Sequence, residues 1–221
     1  MRAGHTSASR PCRRDALRLA TQAVHRELDA LASALDLTTL ADYRRFMLAN
    51  AAPLCALEIA LELGGVEQSL PDWPLRTRRA PLALDLAALG ALAEPLHLEP
   101  LRSPSEHWGV AYVLEGSRLG AQVVLARVHG SPDEHVRGAT AFLSAGSSRL
   151  WPTFLRELEL AHALDVPAMT RAACAAFELF RRSFAALANG PAKAGDHGSA
   201  APTHDSPAML VLAQQSLSIA Q

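Results

Sequence analysis

The sequence predicts an all-α protein, and three observations carry that expectation. Ala and Leu, the apolar residues with the best helix propensities, dominate the 49% of hydrophobic residues. Aromatic residues make up only 5%, and β-branched residues occur in short clusters, so the composition of a sheet is missing. Apolar residues also recur at three- and four-residue steps in one segment after another. A chain of 221 residues can build one large domain with its own core. Its bounds are expected at 15–189, between a flexible leader at 1–14 and a flexible tail at 190–221.

The first helix spans 15–35, where Leu17, Ala20, Val24, Leu28, Leu31 and Leu35 keep helical spacing. Thr38 or Thr39 can cap a second helix through Tyr43, Phe46 and Met47. Pro53 is expected to kink or split that helix. The pattern resumes at Leu54, Leu57 and Leu61 and stops at Gly64-Gly65. Pro71-Asp-Trp73-Pro reads as a loop with an aromatic anchor, and 82–92 as a short apolar helix. Ser103-Pro104 then opens a helix to about His129, roughly 39 Å long. A short apolar segment with a break follows at Phe142-Leu143-Ser-Ala-Gly146. Ser147 or Ser148 caps the next helix, through Trp151, Phe154, Leu155 and Leu158. Asp165-Val-Pro167 opens the last, with Met169, Ala173, Ala176, Phe177 and Phe180, and Asn189-Gly190 ends it. Beyond that point Ala, Gly, Ser, Pro and His give a tail composition, closed by an apolar stretch at 209–212.

With 21 Lys+Arg against 22 Asp+Glu there is no basic field to neutralise phosphates, which argues against nucleic acid. Cys12, Cys55 and Cys174 lack metal-ligand spacing, and an odd, unpatterned set fits a reducing cytosol. Arg2, Arg10, Arg13 and Arg14 lead into no apolar signal core, and no run of 18 apolar residues occurs. A cytoplasmic protein without a membrane partner is therefore expected.

The long helix carries an oddity. Gly109, Gly116 and Gly120 fall within a sector of roughly 40°. Each weakens a helix interior by roughly 1 kcal/mol relative to Ala. Something must approach that bare stripe, and Ala121 extends it. Periodicity favours a neighbouring helix, since Gly116 and Gly120 form a GxxxG. The alternative is a flat ligand lying on the backbone.

His25 sits at the edge of the first helix's apolar stripe, with Arg18 two turns before it and Asp29 one turn after. A carboxylate four residues on can fix the tautomer of a metal-ligating imidazole, and Arg18 can meet an anionic group. A solvated charge pair is the plain alternative. One histidine is too few for structural zinc but suffices for haem, whose porphyrin supplies four nitrogens. A bald helix on the opposite side would leave room for the ring.

Two stretches resemble the haem oxygenase family. Leu17-Arg-Leu-Ala-Thr21-Gln-Ala-Val-His25-Arg-Glu-Leu28-Asp29 is similar to its proximal helix. Tyr112-Val-Leu-Glu-Gly116-Ser-Arg-Leu-Gly120-Ala-Gln122 is similar to the distal helix of its bacterial branch, often found beside bacteriophytochromes. The resemblance covers roughly 15–188. It implies a single-domain all-α haem oxygenase-like fold with haem, both substrate and cofactor, between the two helices. It also implies oxidative opening of haem to biliverdin, CO and ferrous iron. That reaction uses O2 and electrons from an external donor of ferredoxin or flavin reductase type, and a bacteriophytochrome is a candidate acceptor of biliverdin. His25 matches the ligand to iron. Gly116, Ser117 and Gly120 match the catalytic distal side. Arg18, Gln22, Asp29 and Ala121 complete the haem-binding set.

Some positions depart from the family pattern. Ala121 replaces a second adjacent glycine, and its methyl is expected to crowd the distal side or to shift the helix slightly. Ser117 stands where animal members carry a water-anchoring aspartate, and it can organise at most one water. Glu115 cannot substitute, since it projects about 200° away from Ser117. Gln22 stands where some members have a second basic partner for the haem carboxylates, for which Arg149, Arg181 and Arg182 are candidates here. These departures keep a second function open, a haem carrier of the same fold with weakened catalysis. A third is a haem-free helical protein whose glycines only pack helices. Phe142, Phe154, Phe177 and Phe180 are expected as core, His107, His129, His135 and His162 as exposed, and Cys55 and Cys174 as buried.

Overall fold

A computed structural model describes residues 12–188. Most of the expected leader, the whole expected tail, the Asn189-Gly190 stop and the apolar stretch at 209–212 lie outside the described residues. Among those described, eight α-helices and two short 3-10 turns occur and no strand: α1 (Arg13–Ser33), α2 (Leu40–Leu63), α3 (Arg79–Ala88), α4 (Pro104–His129), α5 (Glu134–Gly138), α6 (Ala141–Ser144), α7 (Leu150–Leu160) and α8 (Val166–Ala188). The turns are Val66–Gln68 and Trp73–Leu75. Arg13 and Arg14, assigned to the leader from sequence, already belong to α1.

The hub is α8, which packs most extensively on α1 and α4 and then on α2. Its buried residues Met169, Ala173, Ala176, Phe177, Phe180 and Phe184 form one stripe at helical spacing. Opposite them, α2 buries Tyr43, Met47, Leu54, Leu57 and Leu61. By length and apolarity α2 could cross a membrane, yet half of its residues are buried within the helical core. Pro53 does not split α2, which runs unbroken from Leu40 to Leu63. Ala49, Ala51, Pro53 and Leu54 are all buried, so packing outweighs the backbone hydrogen bond that proline removes.

Capping fixes several other boundaries, although α7 starts from Arg149 and not from the expected Ser147 or Ser148 cap. Ser103 and Glu106 form a reciprocal capping box that starts α4 where Pro104 fits the first turn. The short apolar helix expected at 82–92 instead spans Arg79–Ala88. The buried Glu58 carboxylate of α2 accepts the backbone N–H of Arg78 at 2.7 Å and of Arg79 at 3.2 Å, and so starts the helix early. No local signal reveals a cap donated by another helix. The short apolar segment expected at Phe142 forms α6, started by Asp85, which accepts from the N–H groups of Ala141 and Phe142 at 3.0 and 2.7 Å. The chain breaks after it at Ala145-Gly146, where Gly146 has a φ of 91°. Burial pushes the carboxyls of Asp85 and Glu58 above the usual carboxylate range, against these hydrogen bonds.

Two burial expectations fail. His107 is buried rather than exposed. Its ring lies 3.0 Å from Ser69 Oγ and 2.6 Å from Leu101 O, joining α4 to the two loops beside it. Cys55 and Cys174 are half-buried, since each lies at the margin of its helix's packed stripe.

Candidate active site

Helix α1 supplies His25. Its Nδ1 lies 2.8 Å from Asp29 Oδ2, and Phe177 of α8 holds its ring edge-on at 5.2 Å. The i, i+4 step makes the first contact almost obligatory on a helix. With Nδ1–H donating to the carboxylate, the lone pair of the neutral ring resides on Nε2, the state a metal ligand requires.

Helix α4 faces α1 across a cavity of about 330 Å³. Arg18, Gln22, His25 and Asp29 line it from α1, and Gly116, Ser117, Gly120 and Ala121 line it from α4. All eight residues singled out in the sequence therefore meet at one place. Ala121 is buried in the wall of this cavity, so its methyl takes up space there. Phe142, Phe177 and Phe180 are buried and also face this cavity, whereas Phe154 stacks with Trp151 outside its lining. A more open groove of about 510 Å³ between α2, α4 and α8 has Glu99, Glu106 and Arg171 among its lining residues and no histidine. The reactive groups converge on the cavity between α1 and α4.

The glycine stripe divides in two. A Cβ on Gly109 would overlap the carbonyl oxygen of Met169 and come within 3.1 Å of Ala172 Cβ, so this glycine seats α4 against α8. A Cβ on Gly116 would meet only the Trp151 ring, at 3.6 Å. Close helix packing and an open cavity face are both present, at different glycines. Gly109→Ala is accordingly expected to destabilise the protein by about 2–3 kcal/mol, the range of an overpacked core, read as a lower midpoint in urea. An unchanged midpoint would contradict the close crossing.

The hydroxyl of Ser117 is already engaged on two sides, which leaves one lone pair facing the cavity. Its Oγ donates to Leu114 O at 2.7 Å and accepts from Arg78 Nη2 at 2.6 Å. Arg78, unmarked in the sequence, is fully buried, lies over the Phe142 ring and also donates to Leu114 O at 2.8 Å. Burial, reinforced by the charge of Arg118, lowers its pKa to about 10, still far above neutrality. A cation thus stands beside Ser117, at a place where the sequence offers no acid.

The basic candidates on later helices are not in the cavity lining. Arg149 is exposed at the start of α7, and Arg181 and Arg182 pair with Glu178 at 2.6 and 2.8 Å on their own helix. Arg14 and Arg26 line the cavity instead. They extend a four-residue ladder through Arg18 and Gln22 that is legible along α1. Glu115 faces away from the cavity, with Arg76 Nη1 at 2.8 Å and Arg118 Nε at 3.0 Å.

No family model matches the chain. It is 37% identical over 71 residues to a heme oxygenase of Xanthomonas campestris pv. campestris, a stretch covering 28% of this chain and 43% of that protein. The match thus spans less than half of that relative's length. The NO- and CO-bound heme oxygenase of Neisseria meningitidis has the same fold, with a TM-score of 0.63 at 17% identity over 84% of this chain and 96% of that one. In fold, then, this protein is of the all-α haem oxygenase type, and in sequence it is similar to a heme oxygenase.

Proposed function

We propose that this protein binds haem between α1 and α4 and degrades it as a haem oxygenase, giving biliverdin, CO and ferrous iron. One observation carries the reading: His25, its Nδ1 held by Asp29, lies in the same cavity as the side-chain-free backbone at Gly116. Haem is the substrate, and its own iron supplies the oxygen chemistry.

The chain's residues then have separable tasks. Asp29 keeps the proton on His25 Nδ1, so Nε2 is the atom offered to the iron. Arg14, Arg18 and Arg26 place cationic heads where the carboxylates of haem would lie. Buried Phe142, Phe177 and Phe180 exclude water from the flat faces. Gly116 and Gly120 leave height for a small ligand on the distal side, and Arg78 with Ser117 supplies fixed donors there. Electrons come from an external donor of ferredoxin or flavin reductase type, in the cytoplasm, and a bacteriophytochrome is a fitting acceptor of the product.

The test is a hemin titration followed by ascorbate in air. A Soret band that decays while a broad red absorption grows supports the enzyme. A Soret band that persists favours a haem carrier, the reading that the buried Ala121 and the tied hydroxyl of Ser117 suggest. No Soret band, with no rise in melting temperature on adding hemin, removes haem altogether.

Gly116 offers a sharper check. Gly116→Ala places a methyl at ordinary contact distance from Trp151. The haem-free protein should therefore gain up to about 1 kcal/mol of helix stability. Gly116→Phe should leave a folded protein, shown by its far-UV circular dichroism, that gives no Soret band. Normal haem uptake by that variant would place the ligand elsewhere.

A further inference from the structure

We propose that the buried ion triad Arg76–Glu115–Arg118 positions α4 over the ligand cavity, so that it fixes the height of the Gly116 backbone above a bound haem. This rests on the haem reading of the cavity. The triad touches no ligand, and its members are positioning residues.

The need for such a device follows from the helix itself. Gly116 and Gly120 soften α4 in mid-span. On the cavity side a Cβ at Gly116 would have only the Trp151 ring within reach. On that side Arg78 ties Leu114 O and Ser117 Oγ, and the triad adds a hold on the opposite face of the helix. Glu115 and Arg118 lie one turn apart on a face roughly 150° around the helix from Gly116 and Gly120, and they bracket Gly116 in sequence.

Their contacts are made with other elements. Glu115 accepts from Arg76 Nη1 at 2.8 Å and from Arg118 Nε at 3.0 Å, and all three side chains are buried. Arg118 donates to Ala145 O at 2.9 Å and to Arg76 O. Arg76 is held by both oxygens of Asp72, at 2.8 and 2.6 Å, and reaches Leu150 O at 3.2 Å. Leu150 precedes Trp151, the one residue that meets the bare side of Gly116. The same charges therefore fix the helix and the ring that faces it.

Stability alone does not call for this arrangement. Buried ions lose hydration, and apolar residues of similar volume often serve as well or better. A charged network has directional bonds, and these define one placement of the helix where apolar packing would tolerate several.

The test uses the full chain and two variants, Asp72→Asn at the outer end of the network and Arg118→Met within it. Hydrogen exchange is read first, without haem. The amides of 114–121 should exchange about tenfold faster in the variants, the effect of losing one charge-assisted hydrogen bond, with α8 unchanged. The CO-bound haem complex is read next. The C–O stretching band should shift or broaden in the variants while the hemin dissociation constant stays within about threefold of the parent. Uniformly faster exchange, or a band unshifted in the variants of a parent that binds haem, would overturn the positioning role alone. A parent that takes up no haem would overturn the reading of the cavity, and this role with it.

Discussion

His25→Ala should fold like the parent and lose haem affinity by about 100-fold or more. The magnitude follows because even residues that only orient a metal ligand are worth 10–100-fold in affinity, and this change deletes the ligand itself. Folding should survive because the imidazole is 37% exposed and its pairing with Asp29 is a helix-surface contact, worth about 0–1 kcal/mol. The variant separates the three functions left open by the sequence. In an enzyme or a carrier, the sharp Soret band is lost and added imidazole restores it, because the small ring can enter the space the side chain vacated. In a haem-free protein, neither parent nor variant responds to hemin. Asp29→Asn is the graded companion. It leaves Nε2 in place but weakens control of the tautomer, so a loss of about tenfold is expected. Unaltered affinity and turnover in His25→Ala would place the ligand to iron elsewhere.

Much of this site was legible in the sequence because it is built from local spacing. Asp29 meets His25 through an i, i+4 step, and Gly116 and Gly120 share a face through the same step. Helical geometry alone converts such numbers into contacts. Arg78 shows the opposite case. It caps α3 only because Glu58, twenty residues earlier, reaches its backbone, and it meets Ser117 only because the turn before α3 brings its side chain to α4. Nothing near Arg78 in the chain marks it out. Glu115 is intermediate. Its direction away from Ser117 followed from the helical angle, but its partner Arg76 had no local signal. Gly109 was grouped with the other glycines by angle. The crossing of α8 at one end of α4 gives it a different task, and a single-helix pattern cannot show where a second helix crosses.

Glu115→Ala should be the most damaging single change to the fold, at about 3–5 kcal/mol. The carboxylate is 1% exposed and stands between two guanidinium groups whose own side chains are 0% and 9% exposed. Its removal leaves Arg118 without its only carboxylate partner among the described residues and Arg76 with Asp72 alone. A buried, uncompensated cation is the costly outcome, far more than a lost surface pair. For a domain of this size that corresponds to a fall in melting temperature of about 10 °C. Replacing the whole triad tests the idea from the other side. Arg76→Met, Glu115→Leu and Arg118→Met together remove the triad's three charges at similar volume and leave only the carboxylate of Asp72, which is 36% exposed to water, so stability should return to within about 1–2 kcal/mol of the parent. If the triad exists only to hold the fold, the triple variant should match the parent in exchange at 114–121 and in its CO stretching band. If it positions the distal helix, stability returns while both of those signatures stay altered.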